Sequence, residues 1–104
     1  MYLVLFRSTK RSGIDAEVYA AQAQAMEALA KAQPGFLSFK SYVAGDGETV
    51  AISEWASEDA AHGWGRVAEH RIAQADGRKR WYATYTLYAC NNPLTHRFVA
   101  KDPS

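Results

Sequence analysis

Cysteine is almost absent: Cys90 stands alone in 104 residues. No internal disulfide is possible, so the fold must rest on its own core, and the composition suits a reducing compartment, with the cytoplasm as the expected location. An excess of either charge is also missing. Twelve Lys and Arg nearly balance eleven Asp and Glu, for a formal net charge of +1. Lys10-Arg11 and Arg78-Lys79-Arg80 are short clusters, not a basic stripe, so no nucleic-acid partner is expected. The second cluster suits either a solvated turn at a helix C-terminus, where cations are favoured, or a phosphate site. Long apolar runs are absent as well. Nothing approaches the roughly 20 residues of a membrane span, and Met1-Tyr2-Leu3-Val4-Leu5-Phe6-Arg7 is too short and too poor in leading basic residues for a signal peptide, so no membrane association is expected.

Further absences concern chemistry. Neither Cys-x-x-Cys nor His-Glu-x-x-His occurs. Of His62, His70 and His96, the first two stand eight positions apart, about 12 Å along a helix, too far to chelate one ion. No metal is expected. Gly45-Asp46-Gly47 reads as a hairpin turn, not a phosphate loop, and no nucleophile elbow suggests a Ser-His-Asp triad. Neither a flavin nor a nicotinamide has an evident place, so no cofactor is expected.

Rings are plentiful: three Trp, six Tyr and four Phe. One domain is expected over 1–104, with a core over 1–90 and a tail over 91–104. Residues 2–9 read as a strand. Residues 15–31 are rich in helix formers, with Val18, Gln22, Ala25, Met26 and Leu29 on one side; Asp15 caps this helix or sits in its first turn, and Pro34-Gly35 stops it. Residues 36–44 and 48–55 make a hairpin around Gly45-Asp46-Gly47. Ser57 is a good N-cap for a second helix running to about Ala75, with Gly77 as a left-handed C-cap. Residues 80–90 form the fourth strand, and Leu94, Phe98 and Val99 suggest that the tail docks. The order βαββαβ predicts an α+β, ferredoxin-like fold, with a four-stranded antiparallel sheet and two helices on one face.

Strand alternation adds a quaternary expectation. Tyr2, Val4 and Phe6 oppose Leu3 and Leu5; Phe36 and Tyr42 oppose Leu37, Phe39 and Val43; Trp81, Tyr85 and Leu87 oppose Tyr82 and Tyr88. Both faces are apolar, and two helices cover only one. A homodimer joined through the bare sheet face follows, with at least two of Tyr82, Tyr85 and Tyr88 at that interface.

For chemistry, the helical projection puts Ala61, Trp64, Ala68 and Ile72 in the buried stripe, with His70 about 120° from Trp64 at its edge. His70 is either a boundary histidine bonded to a backbone carbonyl or to Glu69, or a general base at a cavity mouth. Trp55, Trp64 and Trp81 are core anchors or the walls of a ring-accepting slot. Arg7, inside an apolar strand, is an edge position or an anchor for an anionic oxygen.

Pro34-Gly35-Phe36, Ser53-Glu54-Trp55, Ser57-Glu58-Asp59-Ala60, Trp64, Glu69-His70-Arg71, Ala73-Gln74, Gly77-Arg78 and Trp81-Tyr82-Ala83-Thr84-Tyr85 together resemble the antibiotic biosynthesis monooxygenase family of dimeric α+β barrels. The resemblance covers the chain to about Cys90. It implies a monooxygenase that needs no cofactor and oxidises a small aromatic, phenolic or quinol compound with dioxygen. His70 would be the base, Phe6, Trp55 and Trp64 the walls of the ring slot, and Arg7 the phenolate anchor. A non-catalytic dimeric module binding a small apolar ligand is the alternative. The family's haem-degrading branch has an iron-ligating His one turn beyond His70, where this chain has Gln74, and an Asn that the first strand lacks. Its polyketide-quinone branch has a Tyr at the His70 position.

Overall fold

A computed structural model describes residues 1–102, apart from the side chains of Ala68 and Glu69. The strands are β1 (Tyr2–Lys10), β2 (Phe36–Val43), β3 (Thr49–Trp55) and β4 (Tyr82–Asn91). The helices are α1 (Ala16–Lys31), α2 (Glu58–Gly65) and α3 (Ala68–Asp76), and a π turn over Gly77–Trp81 leads into β4. All pairings are antiparallel, in the order β2-β3-β1-β4. This is the expected ferredoxin-like α+β sheet, with three helices in place of two.

Local chemistry sets most boundaries. Asp15 caps α1, its Oδ1 accepting from the Val18 N–H at 3.2 Å, and Ser57 Oγ accepts from the Ala60 N–H at 3.1 Å to cap α2. Gly35 turns the chain out of α1 at φ +81°, and its carbonyl accepts from the Ala56 N–H at 2.7 Å. Gly47, at φ +91°, closes the β2–β3 hairpin.

Four departures from the expected pattern shape the interior. The second helical segment breaks between α2 and α3, where Val67 is extended at φ −63°, ψ 130°. Gly63 and Gly65 flank Trp64, and each weakens a helix by about 1 kcal/mol relative to Ala. Gly77 is right-handed at φ −54°, so it is no left-handed cap; a Cβ there would meet the Tyr82 ring at 2.7 Å, and close packing explains the glycine. A register shift between Phe36 and Ser38 puts Phe36 and Phe39 on the same side of β2. A second shift opposite Thr9 and Lys10 does the same for Tyr82 and Tyr85, while Trp81 belongs to the π turn. In both cases an inserted residue cancels strict alternation.

Val4 and Phe6 face the helices. Leu5 faces away, opposite Ile52 on one neighbour and Tyr88 on the other. Ile72 and Val18, expected inside, are 63% and 44% exposed, because the break in the helix turns α3 and the inner side of α1 is carried by Tyr19, Gln22, Met26 and Ala30. Ala68 and Glu69 were expected in the buried stripe and beside His70; their side chains lie outside the described residues. Asn92 ends β4 in a left-handed turn at φ 50°, its Oδ1 accepting from the N-terminal ammonium at 3.0 Å. In the tail beyond, Leu94, Phe98 and Val99, expected to dock, are exposed on this protomer.

Candidate functional site

Among the described residues, only Ala30, Trp55 and Trp81 are buried apolar side chains. The space between sheet and helices is a cavity of about 640 Å³. Val4, Phe6, Phe39, Ala51, Trp55 and Tyr85 form its floor, and Tyr19, Gln22, Met26, Trp64 and His70 its roof. The lining is mostly apolar and aromatic with a few polar groups, as in small-molecule sites.

The break after α2 brings His70 back over Trp64. The two rings lie 4.1 Å apart at 10°, and Trp64 in turn stacks toward Trp55 at 6.4 Å and 21°. His70 Nδ1 lies 3.0 Å from the Trp64 carbonyl oxygen. A carbonyl can only accept, so Nδ1 carries the hydrogen and the neutral ring keeps its lone pair on Nε2. Burial lowers the His70 pKa from its ordinary value, with the Trp64 carbonyl opposing the shift. The imidazole is therefore neutral at pH 7, oriented, and able to take a proton. The backbone bond expected of a boundary histidine is present, and it also sets the tautomer.

The other walls are held by specific contacts. Trp55 donates its indole N–H to Ser53 Oγ at 3.1 Å and meets Phe36 edge-on at 5.5 Å. Phe6 packs on Tyr82 and Tyr85, each at 5.3 Å. At the opposite end, Trp81 donates to Gln22 Oε1 at 2.8 Å, and Gln22 Nε2 donates to Asp76 Oδ2 at 3.0 Å. Burial, then Tyr19, pushes the Tyr82 phenol well above its usual range, so it stays a neutral donor.

His70, Phe6, Trp55 and Trp64 thus line one cavity. Arg7 does not join them. Alternation turns it away from Phe6 to the opposite sheet face, where its guanidinium pairs with Glu48 at 3.1 Å. Tyr82 and Tyr85, read from sequence as candidates for an interface between copies, line the cavity, while Tyr88 lies on the outer face. Sequence reasoning passed over Gln22 and Tyr19 as site residues. The signal was there for Gln22, an amide set in the apolar stripe of α1. Among the described residues, no three His, Cys, Asp or Glu side chains converge as metal ligands, and no helix is long and apolar enough to cross a membrane.

The model of the family described as antibiotic biosynthesis monooxygenase matches residues 1–76. The uncharacterized protein YqjZ of Bacillus subtilis (strain 168) is 37% identical over 86 residues, covering 83% of this chain and 74% of that protein. Rv0793 from Mycobacterium tuberculosis superposes with a TM-score of 0.79 at 20% identity, over 91% of this chain and 96% of that one. SnoaB, a cofactor-independent oxygenase from Streptomyces nogalater, superposes with a TM-score of 0.72 at 19% identity, over 97% of each chain. At such identities the two structures speak to the fold. With residues 1–76 of 104 matched, the chain belongs to the antibiotic biosynthesis monooxygenase family.

Proposed function

We propose that this protein is a cofactor-independent monooxygenase that oxidises a small phenolic or quinol compound with dioxygen. The observation that carries the reading is the His70 ring in an aromatic cavity, stacked on Trp64 with Nδ1 held by the Trp64 carbonyl, which leaves Nε2 as the basic nitrogen. Family membership and the printed description of SnoaB support the same reaction class.

The chemistry needs little from the protein. His70 Nε2 takes the hydroxyl proton, and the resulting electron-rich ring reduces dioxygen, forming a carbon–oxygen bond and a peroxide anion. The imidazolium returns the proton to the peroxide. The O–O bond then breaks, one oxygen leaving as water with the hydrogen of the attacked carbon and the other remaining as a carbonyl. The substrate supplies the electrons. Trp64, Trp55 and Phe6 hold the ring and exclude water. Arg7, on the other sheet face, has no part in this scheme.

Oxygen uptake by metal- and flavin-free protein, measured with a panel of naphthols and hydroquinones, tests the proposal. Uptake matched by quinone formation is the expected result. Saturable binding of the same compounds without uptake would establish the alternative, a non-catalytic ligand-binding module.

The working unit we propose is a cytoplasmic homodimer closed through the outer sheet face. Leu3, Leu5, Val50 and Ile52 lie there, with Tyr42 and Tyr88 about half exposed. Such an apolar face favours a self-complementary contact. Leu5→Asp, which puts a charge at its centre, is expected to convert a dimer to a monomer by light scattering at micromolar concentration. A wild-type protein that is already monomeric there would remove the proposal.

A further inference from the structure

Lys10-Arg11 and Arg78-Lys79-Arg80 are far apart in sequence, yet the fold joins them at one end of the cavity. The Arg11 backbone N–H donates to the Trp81 carbonyl at 2.8 Å, and its guanidinium donates to the Arg78 carbonyl at 3.0 Å across 67 positions. Lys10 stands opposite Tyr82 in the β1–β4 pairing. Its ammonium donates to Thr49 Oγ1 at 3.1 Å and lies 4.9 Å from the Tyr19 ring centre. Thr49, Tyr19 and Tyr82 line the cavity, as does Arg78 itself. Arg80 covers the Trp81 ring at 4.4 Å, beside Asp76 at 3.9 Å.

Of the carboxylates nearby, Asp76 sits against Arg80 within the cluster, and Glu27, which also lines the cavity, pairs with Lys31. Asp76 also accepts from Gln22, Glu48 pairs with Arg7 on the far face, and Asp15 caps α1. With Asp76 set against Arg80, Lys10, Arg11 and Arg78 still leave an excess of positive charge at an end of the cavity whose walls are phenols and an indole. A guanidinium there offers a planar fork to an oxyanion, and the low-dielectric walls strengthen the attraction. Eight positions separate Arg78 from His70, roughly 12 Å at helical rise.

We propose that this cationic end is an oxyanion subsite, and that the ligand is an elongated aromatic carboxylate. Its ring lies at Trp64 and His70 and its acid group at Arg78 and Lys10. The inference rests on the monooxygenase reading for what happens to the ring, and it adds the substrate class.

Binding of 6-(2-naphthyl)hexanoate and of 6-(2-naphthyl)hexan-1-ol, read by quenching of tryptophan fluorescence, isolates the charge. The acid is expected to bind about tenfold tighter at low salt. That advantage should shrink between 20 and 300 mM sodium chloride, while binding of the alcohol stays constant. In Arg78→Gln with Lys10→Met, acid and alcohol should bind alike; in Arg7→Gln the preference should persist. Equal affinities in the wild-type protein, or a preference that survives in the double variant, would overturn the subsite. The salt titration on wild-type protein decides the matter even where the double variant folds poorly. Because the assay needs no oxygen, the two proposals fail separately. A preference for the acid with no oxygen uptake on the naphthol and hydroquinone panel keeps the subsite and removes the monooxygenase; uptake on that panel with no preference for the acid does the reverse.

Discussion

His70→Ala is expected to lower oxygen uptake by roughly 10²–10⁴-fold, the range that a positioned general base contributes. Ligand affinity should fall far less, because Trp55, Phe6 and most of the Trp64 face remain. His70→Asn is the paired variant: its amide can still donate to the Trp64 carbonyl but offers no comparable base. Equal loss in both variants, with thermal unfolding little changed, assigns the effect to proton transfer. Turnover unaltered by either would remove His70 from the mechanism.

The pH profile carries the sign. The base acts when neutral, and burial lowers the pKa of His70 below its ordinary 6.5. The rate should therefore rise through an apparent pKa below 6.5 and stay flat across neutral pH, provided no other group titrates. A rise centred above 6.5 would contradict the burial argument. Stability follows by linkage. The unfolded chain binds this proton more readily than the native one, so stability is complete above pH 6.5 and declines as pH falls toward the depressed native value. Chemical denaturation at pH 7 and pH 5 checks the direction, and His70→Asn should flatten it.

Gly35→Ala is expected to cost about 2–4 kcal/mol, lowering the melting temperature by roughly 10–25 °C for a domain of this size. Two effects combine. Gly35 sits at φ +81°, where a side chain is strained, and a Cβ there would come within 2.6 Å of the Ala60 Cβ on α2. That contact is with a short side chain on a capped helix, so relief requires moving the helix that carries Trp64. Gly13→Ala is the control. Its φ of +73° carries the same backbone strain, but a Cβ would meet nothing within 4 Å. Only about 1–2 kcal/mol is expected there. Calorimetry on both variants separates strain from packing; equal losses would show that the Ala60 contact is unimportant.

Local chemistry was legible in the chain. Asp15 and Ser57 cap helices because their short side chains reach the free N–H groups at a helix start. Alternation put Val4 and Phe6 on the face opposite Leu3 and Leu5, and the order of elements specified the topology. Trp55 and Trp64 could be nominated for the cavity as indoles of a ring-rich chain resembling the family, and helical phase put Trp64 in the buried stripe.

What the chain could not show came from small breaks in periodicity. One inserted residue in β2 and another in β4 move Phe39 and Tyr82 to the helix-facing side, since a strand's faces exchange with every added residue. The interruption at Val67 abolishes the phase relation between Trp64 and His70, so a projection along one continuous helix could not place the imidazole against the indole. Arg7 is the reverse case, where plain alternation already separated it from Phe6 and left the proposed anchor on the wrong face. The meeting of Lys10-Arg11 with Arg78-Lys79-Arg80 depends on the register of β1 on β4, which the order of elements does not encode. Sequence determined which segments fold and which residue types each presents; tertiary structure decided which of them share a cavity, because proximity across the sheet is set by register and by where helices break.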